Sequence, residues 1–208
     1  MAKPAEKSVI GIVGSPRVRG NTDLLVEEIL AGAAEAGAET EKIILIDHSI
    51  AACKACNACR TTGSCAHDDD MSSILDRMDK SNVWVLGTPI YWWGPTAQFK
   101  TFIDRWYGAK HPRFQEKRVI LAIPLGGGHE RYARHVVGML QDTMNYLGME
   151  HHGTILAPGM NNKGEVQEHV KLMAEARRLG RSAFDSDEVG LPTTELTADS
   201  GLSANDVH

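Results

Sequence analysis

Residues 14–22, with the sequence GSPRVRGNT, have the composition of an anion-binding loop. They follow an apolar run at residues 9–13 and precede a helical pattern that begins at residues 21–23. The free N–H groups at a helix start and the helix dipole both favour negative charge there. Side chains that could add donors or charge are those of Ser15, Arg17, Arg19, Asn21 and Thr22. The pattern favours a phosphate site, and the alternative is a capped helix after an ordinary strand–helix turn.

The spacing of this loop excludes two common phosphate-binding motifs. A Walker A loop ends in Gly-Lys-Ser/Thr, and residues 14–22 contain no lysine. A dinucleotide fingerprint requires G-x-G-x-x-G, a spacing that Gly11, Gly14 and Gly20 do not have. The phosphate of a mononucleotide or a flavin fits the loop better.

All four cysteines lie in one short stretch with the spacing C-x2-C-x2-C-x5-C, at Cys53, Cys56, Cys59 and Cys65. A compact run of thiolates can wrap one iron–sulfur cubane, as in ferredoxins, although here the last gap is longer and no proline follows. Structural zinc usually draws on two separated pairs, and a cytoplasmic location disfavours a disulfide. Four free thiols are the alternative that remains open.

Two further loops follow predicted strands. Residues 88–95, TPIYWWGP, place Tyr91, Trp92 and Trp93 side by side in a loop that normally runs over the surface. A flat flavin ring would cover part of this aromatic surface; the alternative is packing under the next helix or at a subunit contact, with Trp93 favoured. Residues 126–128 are three glycines, but a dinucleotide fingerprint would need another at Arg131. They indicate a close backbone approach to a planar ligand.

The hydrophobic periodicity supplies the scaffold for these loops. Strands are predicted at residues 9–13, 40–46, 83–86, 119–125 and 154–157. They alternate with a helix that begins at residue 21 and with helices over residues 71–78, 96–106, 132–147 and 166–182. This alternation predicts an α/β fold, a doubly wound parallel sheet of five strands with helices on both faces. In the expected order 2-1-3-4-5, a ligand lies beyond the carboxyl ends of strands 1, 3 and 4.

The net charge of −5 is concentrated at the C-terminus of the 208-residue chain. Residues 183–208 contain six acidic residues and no Lys or Arg, which leaves the remainder at +1. This balance gives no electrostatic case for nucleic acid or an anionic membrane. We expect one domain over residues 1–182 and an acidic tail over 183–208. No apolar run reaches the roughly 18 residues of a membrane helix and no signal peptide is evident, so a cytoplasmic location is expected.

The chain contains, in this order, the segments GSPR and GNT, then TPIYW, then residues 100–105 (KTFIDR) and a Gly-Gly pair. This ordered set resembles the NADPH-dependent FMN reductase branch of flavodoxin-like proteins. The similarity covers residues 8–182. It implies a flavodoxin-like fold and non-covalently bound FMN. The implied phosphate site consists of Ser15, Arg17, Asn21 and Thr22, and the implied ring site consists of Pro89, Ile90, Tyr91, Trp92, Gly126 and Gly127.

The cysteine motif, followed by Asp69-Asp70-Met71, resembles a narrower group, the iron–sulfur flavoproteins. That resemblance implies a [4Fe–4S] cluster on Cys53, Cys56, Cys59 and Cys65. Some flavodoxin-like reductases keep such a motif without a cluster.

Two functions follow from these resemblances. In the first, FMN exchanges electrons with the cluster; in the second, a cluster-free NAD(P)H-dependent reductase acts on flavin, quinone or a similar acceptor. In both the flavin supplies the chemistry, so no catalytic side chain is expected. A phospho-receiver domain is excluded, because Gly14-Ser15 and Gly87-Thr88 stand where its acidic residues belong. The expected partners are a small-molecule or protein redox partner and further copies of the chain, as a homodimer or homotetramer with Trp93 or Trp106 near a subunit contact.

Overall fold

The computed structural model describes residues 7–109 and 111–185 and contains a five-stranded sheet. All neighbouring strands are parallel and their order is β2-β1-β3-β4-β5. The flavodoxin-like topology predicted from the sequence is confirmed. Most of the predicted acidic tail, residues 186–208, lies outside the described residues. The strands are β1 (Ser8–Val13), β2 (Glu39–Ile44), β3 (Val83–Gly87), β4 (Arg118–Pro124) and β5 (Glu150–Ala157).

Helices cover both faces of the sheet, as the buried apolar strands require. The two faces form separate cores: Ile10 and Ile12 of β1 lie in one, and Val9 and Val13 lie in the other. None of the described helices is long and apolar enough to cross a membrane. The helices are α1 (Asn21–Glu35), α2 (Ala58–Thr62), α3 (Met71–Asp79), α4 (Ala97–Asp104), α5 (Arg134–Leu147) and α6 (Val170–Arg181).

On one face of the sheet, α1 and α6 cross closely because small residues meet at the crossing. A Cβ on Gly32 would lie 2.0 Å from the Arg177 carbonyl oxygen, and one on Gly180 would lie 1.9 Å from the Ile29 carbonyl oxygen. On the other face, aromatic side chains fill the space between α4 and the sheet. Trp106 packs there edge-on against Trp84 and is only 5% exposed. The Trp106 side chain is therefore part of the core, and a subunit contact near it stays a prediction.

Several element boundaries differ from the sequence-based expectation. The first four residues of β5, from Glu150 to Gly153, were not predicted as a strand. The short helix α2 lies within the stretch expected to be irregular. Residues Glu165–Glu168 form a 3₁₀ turn, so α6 begins four residues later than expected.

Candidate functional site

The loop after β1 is fixed by hydrogen bonds to its neighbours. The Gly14 amide donates to the Gly87 carbonyl at 2.8 Å, and the Gly14 carbonyl accepts from the buried Thr96 hydroxyl. A Cβ on Gly14 would lie 2.6 Å from Phe99, so glycine is required for this close crossing. The loop after β1 and the start of α4 therefore hold each other in position.

Within this loop the main chain curls around Ser15. The Ser15 hydroxyl accepts from the Arg17 amide at 3.1 Å, and the Gly20 amide donates to the Arg17 carbonyl at 2.9 Å. Helix α1 begins directly after Gly20, which has no side chain to cap it. No side chain therefore caps the first N–H groups of this helix. These groups lie beside Ser15 and Thr22, which are both nearly buried. This arrangement is suited to an anion.

The two arginines of the loop have different surroundings. Arg17 lines the cleft described below, whereas Arg19 forms an ion pair with Glu27 at 3.5 Å. The Arg19 amide donates to Asp23 at 2.7 Å, which holds the residue at a φ of 58°. Arg19 is not among the residues that line the cleft.

The loop between β3 and α4 forms a tight two-residue turn at Trp92 and Trp93. The amides and carbonyls of Tyr91 and Gly94 pair with each other at 2.8 and 3.0 Å. Both tryptophans have positive φ, 49° and 60°, a conformation that costs a non-glycine residue about 1–3 kcal/mol. Trp92 is 88% exposed. This turn directs Trp92 away from the cleft, while Tyr91 lines it.

Two of the three glycines after β4 lie close to other side chains of the protein. A Cβ on Gly127 would lie 2.4 Å from the Tyr132 ring, so Gly127 makes room for that side chain. A Cβ on Gly126 would lie 2.9 Å from the Asn161 side-chain oxygen. Of the two, Gly126 lines the cleft and Gly127 does not.

A fourth loop, residues 158–169 between β5 and α6, completes the site and was missed in the sequence. The Asn21 side chain holds it, because its amide group donates to the Asn162 carbonyl at 2.8 Å and its oxygen accepts from the Val166 amide at 3.1 Å. Asn21 thus lines the cleft, but its side-chain amide is engaged by the loop. The Asn161-Asn162 pair after a strand of the same sheet edge was the signal available in the sequence.

These four loops surround one cleft of about 220 Å³. Eight of the ten expected cofactor-contacting residues line it, and Trp92 and Gly127 do not. Arg17 and Lys163 supply positive charge, and no Asp or Glu lines the cleft within the described part of the chain. The lining residues are Ser15, Arg17, Asn21, Thr22, Pro89, Ile90, Tyr91, Pro124, Leu125, Gly126, Met160, Asn161 and Lys163.

The cysteines lie on a separate loop, residues 51–69, here called the cysteine loop. All four are free, and Cys59 alone is partly buried, with its thiol 3.6 Å from the Tyr107 carbonyl. Among residues 7–109 and 111–185, no group of three or more Cys, His, Asp or Glu is close enough together to hold a metal ion. The loop packs on residues 105–109 after α4, and none of its cysteines lines the cleft.

Known proteins resemble this chain in sequence and in fold. The family model described as NADPH-dependent FMN reductase matches residues 8–162. An iron–sulfur flavoprotein of Methanocaldococcus jannaschii is 47% identical over 97 residues, which cover 47% of this chain and 50% of that protein. An iron–sulfur flavoprotein of Methanosarcina thermophila is 32% identical over 142 residues, which cover 68% of this chain and 74% of that protein. The chain thus aligns with about half the length of the first relative.

A solved structure extends the likeness in fold. The NAD(P)H:quinone oxidoreductase from Methanothermobacter marburgensis superimposes with a TM-score of 0.69 at 19% identity. The match covers 85% of this chain and 98% of that one. At this identity the similarity establishes the shared fold.

Proposed function

The chain belongs to the NADPH-dependent FMN reductase family, and on that basis we propose that it is an oxidoreductase that binds FMN and takes electrons from NAD(P)H. The observation that carries this proposal is the convergence of four strand-end loops on one cleft. Bound there, FMN would accept hydride from the nicotinamide and pass electrons to an acceptor. The residues of the chain bind and orient the flavin and supply no acid or base.

The phosphate end of the cleft fits a dianion. Helix α1 starts there without a capping side chain, and Arg17 and Lys163 both line the cleft. We infer that Ser15 and Thr22 donate to the phosphate, with Arg17 and Lys163 balancing its charge. Asn21 would contribute by holding the loop that carries Lys163.

The other end of the cleft fits the edge and one face of a planar ring. Pro89, Ile90 and Tyr91 provide an apolar wall, and Gly126 lies where a side chain would crowd Asn161. We propose that Pro89, Ile90 and Tyr91 would hold the isoalloxazine ring of bound FMN. In this arrangement Trp92 and Gly127 lie outside the first contacts of the ring.

The test is a titration of flavin-free protein with FMN, followed by NADH and NADPH oxidation with a quinone or free FMN as acceptor. We expect FMN binding at one site per chain and oxidation of at least one nicotinamide. NAD(P)H oxidation by FMN-loaded protein with only a quinone added as acceptor indicates a tightly held flavin. NAD(P)H oxidation that requires free FMN as the acceptor indicates a flavin reductase. Failure to bind FMN at micromolar concentrations would refute the proposal.

We propose as a second function that Cys53, Cys56, Cys59 and Cys65 hold a [4Fe–4S] cluster that exchanges electrons with FMN. The support is the set of four thiols on one exposed loop with a spacing close to that of ferredoxins. Two relatives are also named iron–sulfur flavoproteins. Because the thiols are not gathered among the described residues, the cysteine loop must close when metal binds.

Iron analysis of protein purified without air distinguishes the two functions. A cubane gives about four irons per chain, and Cys56→Ser should lower that content while FMN stays bound. Iron-free protein after anaerobic reconstitution would leave the cluster-free reductase. Aerobic preparations do not decide the question, because oxygen destroys exposed clusters.

We further propose that the chain forms a homodimer or homotetramer through the turn at Trp92 and Trp93. The support is the 88% exposure of Trp92 on a strained turn, since an indole in water contributes little to folding. The electron acceptor is a small molecule or a redox protein that reaches the open cleft. A monomer in sedimentation at micromolar concentration would contradict the oligomer.

A further inference from the structure

A buried ion pair closes the base of the cysteine loop. Arg105, which follows α4, is 2% exposed, and the Asp69 side chain is 8% exposed. The two terminal nitrogens of the guanidinium bind the two carboxylate oxygens at 2.5 and 3.0 Å. Two parallel hydrogen bonds of this kind fix the orientation of both groups as well as their distance.

The same pair also holds the other end of the loop. Arg105 donates to the Ala51 carbonyl at 2.8 Å, and the Ala51 amide donates to Asp69 at 3.0 Å. The carboxylate accepts a further bond from the Met71 amide at 3.2 Å. Ala51 and Asp69 flank all four cysteines, so one guanidinium and one carboxylate join the two ends of the loop.

Of the four thiols, Cys65 alone contacts this pair. Its sulfur lies 3.3 Å from an Arg105 terminal nitrogen, and a Cβ on Gly108 would lie 3.3 Å from its Cβ. Cys53, Cys56 and Cys65 are all exposed, and Cys59 has a hydrogen-bond contact with the Tyr107 carbonyl. Cys65 is therefore an exposed thiol that a buried guanidinium holds in place.

The surroundings of Arg105 indicate that the pair supplies geometry more than stability. Burying two charges costs about as much as their attraction returns, and in the described structure the Arg105 Nε has no hydrogen-bond partner. An apolar pair of similar size could neither accept from the Ala51 and Met71 amides nor donate to the Ala51 carbonyl. It also could not tie Ala51, Cys65 and Asp69 to a single point.

We propose that Arg105 and Asp69 are positioning residues that preset the cysteine loop, with Cys65 as its fixed thiol. The three remaining cysteines move toward Cys65 when the loop closes. The placement of the loop does not depend on metal. It follows for the cluster proposed above, on which this step rests, that Cys65 is the ligand already in place before the metal binds.

The test compares Arg105→Lys with Arg113→Lys, using the full chain with FMN bound and no metal. Arg113 lies in the same region but is partly exposed and pairs with Asp76 at 2.8 Å. Both variants keep a positive charge, and lysine at position 105 cannot make the two parallel bonds. The measurements are hydrogen exchange of residues 51–69 and the alkylation rate of each cysteine by mass spectrometry.

In Arg105→Lys we expect roughly tenfold faster hydrogen exchange across the loop, the change that loss of one charge-assisted hydrogen bond gives, and an altered alkylation rate of Cys65, whose sulfur loses its contact with the guanidinium. Alkylation of Cys53 and all rates in Arg113→Lys should stay as in the wild type. If Arg105→Lys does not fold, Asp69→Asn gives the same comparison. Unchanged exchange and unchanged Cys65 reactivity in the folded variant would overturn the inference. Wild-type protein that stays iron-free after anaerobic reconstitution would refute the cluster, while the exchange and alkylation data alone decide the role of Arg105.

Discussion

Replacing the two positively charged side chains that line the cleft tests whether the cleft holds the phosphate of FMN. The variants are Arg17→Gln, Lys163→Gln and the double replacement. Both residues line the cleft, Lys163 on the loop that Asn21 holds in place. Because riboflavin has the same ring without the phosphate, it reports on every other contact. The expected effect is a selective loss of FMN affinity.

The size of the loss follows from the chemistry of the contact. A hydrogen bond to a charged partner contributes about 1.5–3 kcal/mol, and exposed side chains such as Arg17 lie at the low end. Since about 1.4 kcal/mol is a tenfold change in affinity, each single variant should weaken FMN roughly tenfold. The double variant should lose up to about 100-fold, and less if both cations share one phosphate oxygen. Riboflavin affinity should change by less than about twofold, as it lacks the charged partner.

Fluorescence titrations with FMN and riboflavin, at low and high salt, measure these losses. Arg19→Gln is the matched control, because Arg19 lies on the same loop and pairs with Glu27 outside the cleft. The wild-type preference for FMN should fall with added salt, and the double variant should depend on salt less. Equal losses for FMN and riboflavin would show that these residues shape the cleft without contacting the phosphate. A loss in Arg19→Gln as large as in Arg17→Gln would place the phosphate elsewhere.

Three other predictions concern the fold. Gly180→Ala places a Cβ 1.9 Å from the Ile29 carbonyl oxygen and should lower the free energy of unfolding in urea by about 1–3 kcal/mol or more; no loss would mean that α1 and α6 separate freely. Burial lowers the pKa of His152 below its ordinary value of 6.5, so the unfolded chain takes up the proton first. The free energy of unfolding should therefore fall as the pH drops below about 6.5, and less steeply in His152→Gln; identical pH profiles would contradict this origin. Replacing Trp92-Trp93 by Asn-Gly, the pair that favours this turn, should remove the subunit contact proposed above and, at concentrations where the chain is monomeric, raise the free energy of unfolding by about 1–3 kcal/mol; a loss under those conditions would show that the indoles make stabilising contacts within the chain.

The strands β1, β3 and β4 were predictable because buried parallel strands have nearly uninterrupted apolar runs. The start of β5 was not, since Glu150 to Gly153 has little strand propensity by itself. His152 is buried there beside Ser182, and a Cβ on Gly153 would lie 2.7 Å from Leu179. Both neighbours lie in or directly after α6, so this part of the strand is specified by the packing of a distant helix.

The candidate site likewise has one part that the sequence predicts and another part that depends on contacts between distant residues. Loop composition indicated Ser15, Arg17 and Thr22, because glycine, hydroxyl and arginine residues between a strand and a helix have a local chemical meaning. The contribution of Lys163 depends on Asn21, which lies more than a hundred residues earlier and bonds the loop in three dimensions. Gly127, which is predicted to approach a ligand, makes room for the Tyr132 ring. Residue types indicate the chemistry available, whereas the contacts decide which neighbour uses it.

Helix α4 connects the two parts of the molecule where redox chemistry is proposed. At its start, the Thr96 hydroxyl binds the Gly14 carbonyl and thereby fixes the loop after β1. Directly after its end, Arg105 binds Asp69 and Ala51 and fixes the cysteine loop. Eight helical residues span about 12 Å, so the cleft and the cysteine loop are held about one short helix apart. Phe99 and Phe102 of this helix pack into the core, so both loops are anchored to one firmly packed element.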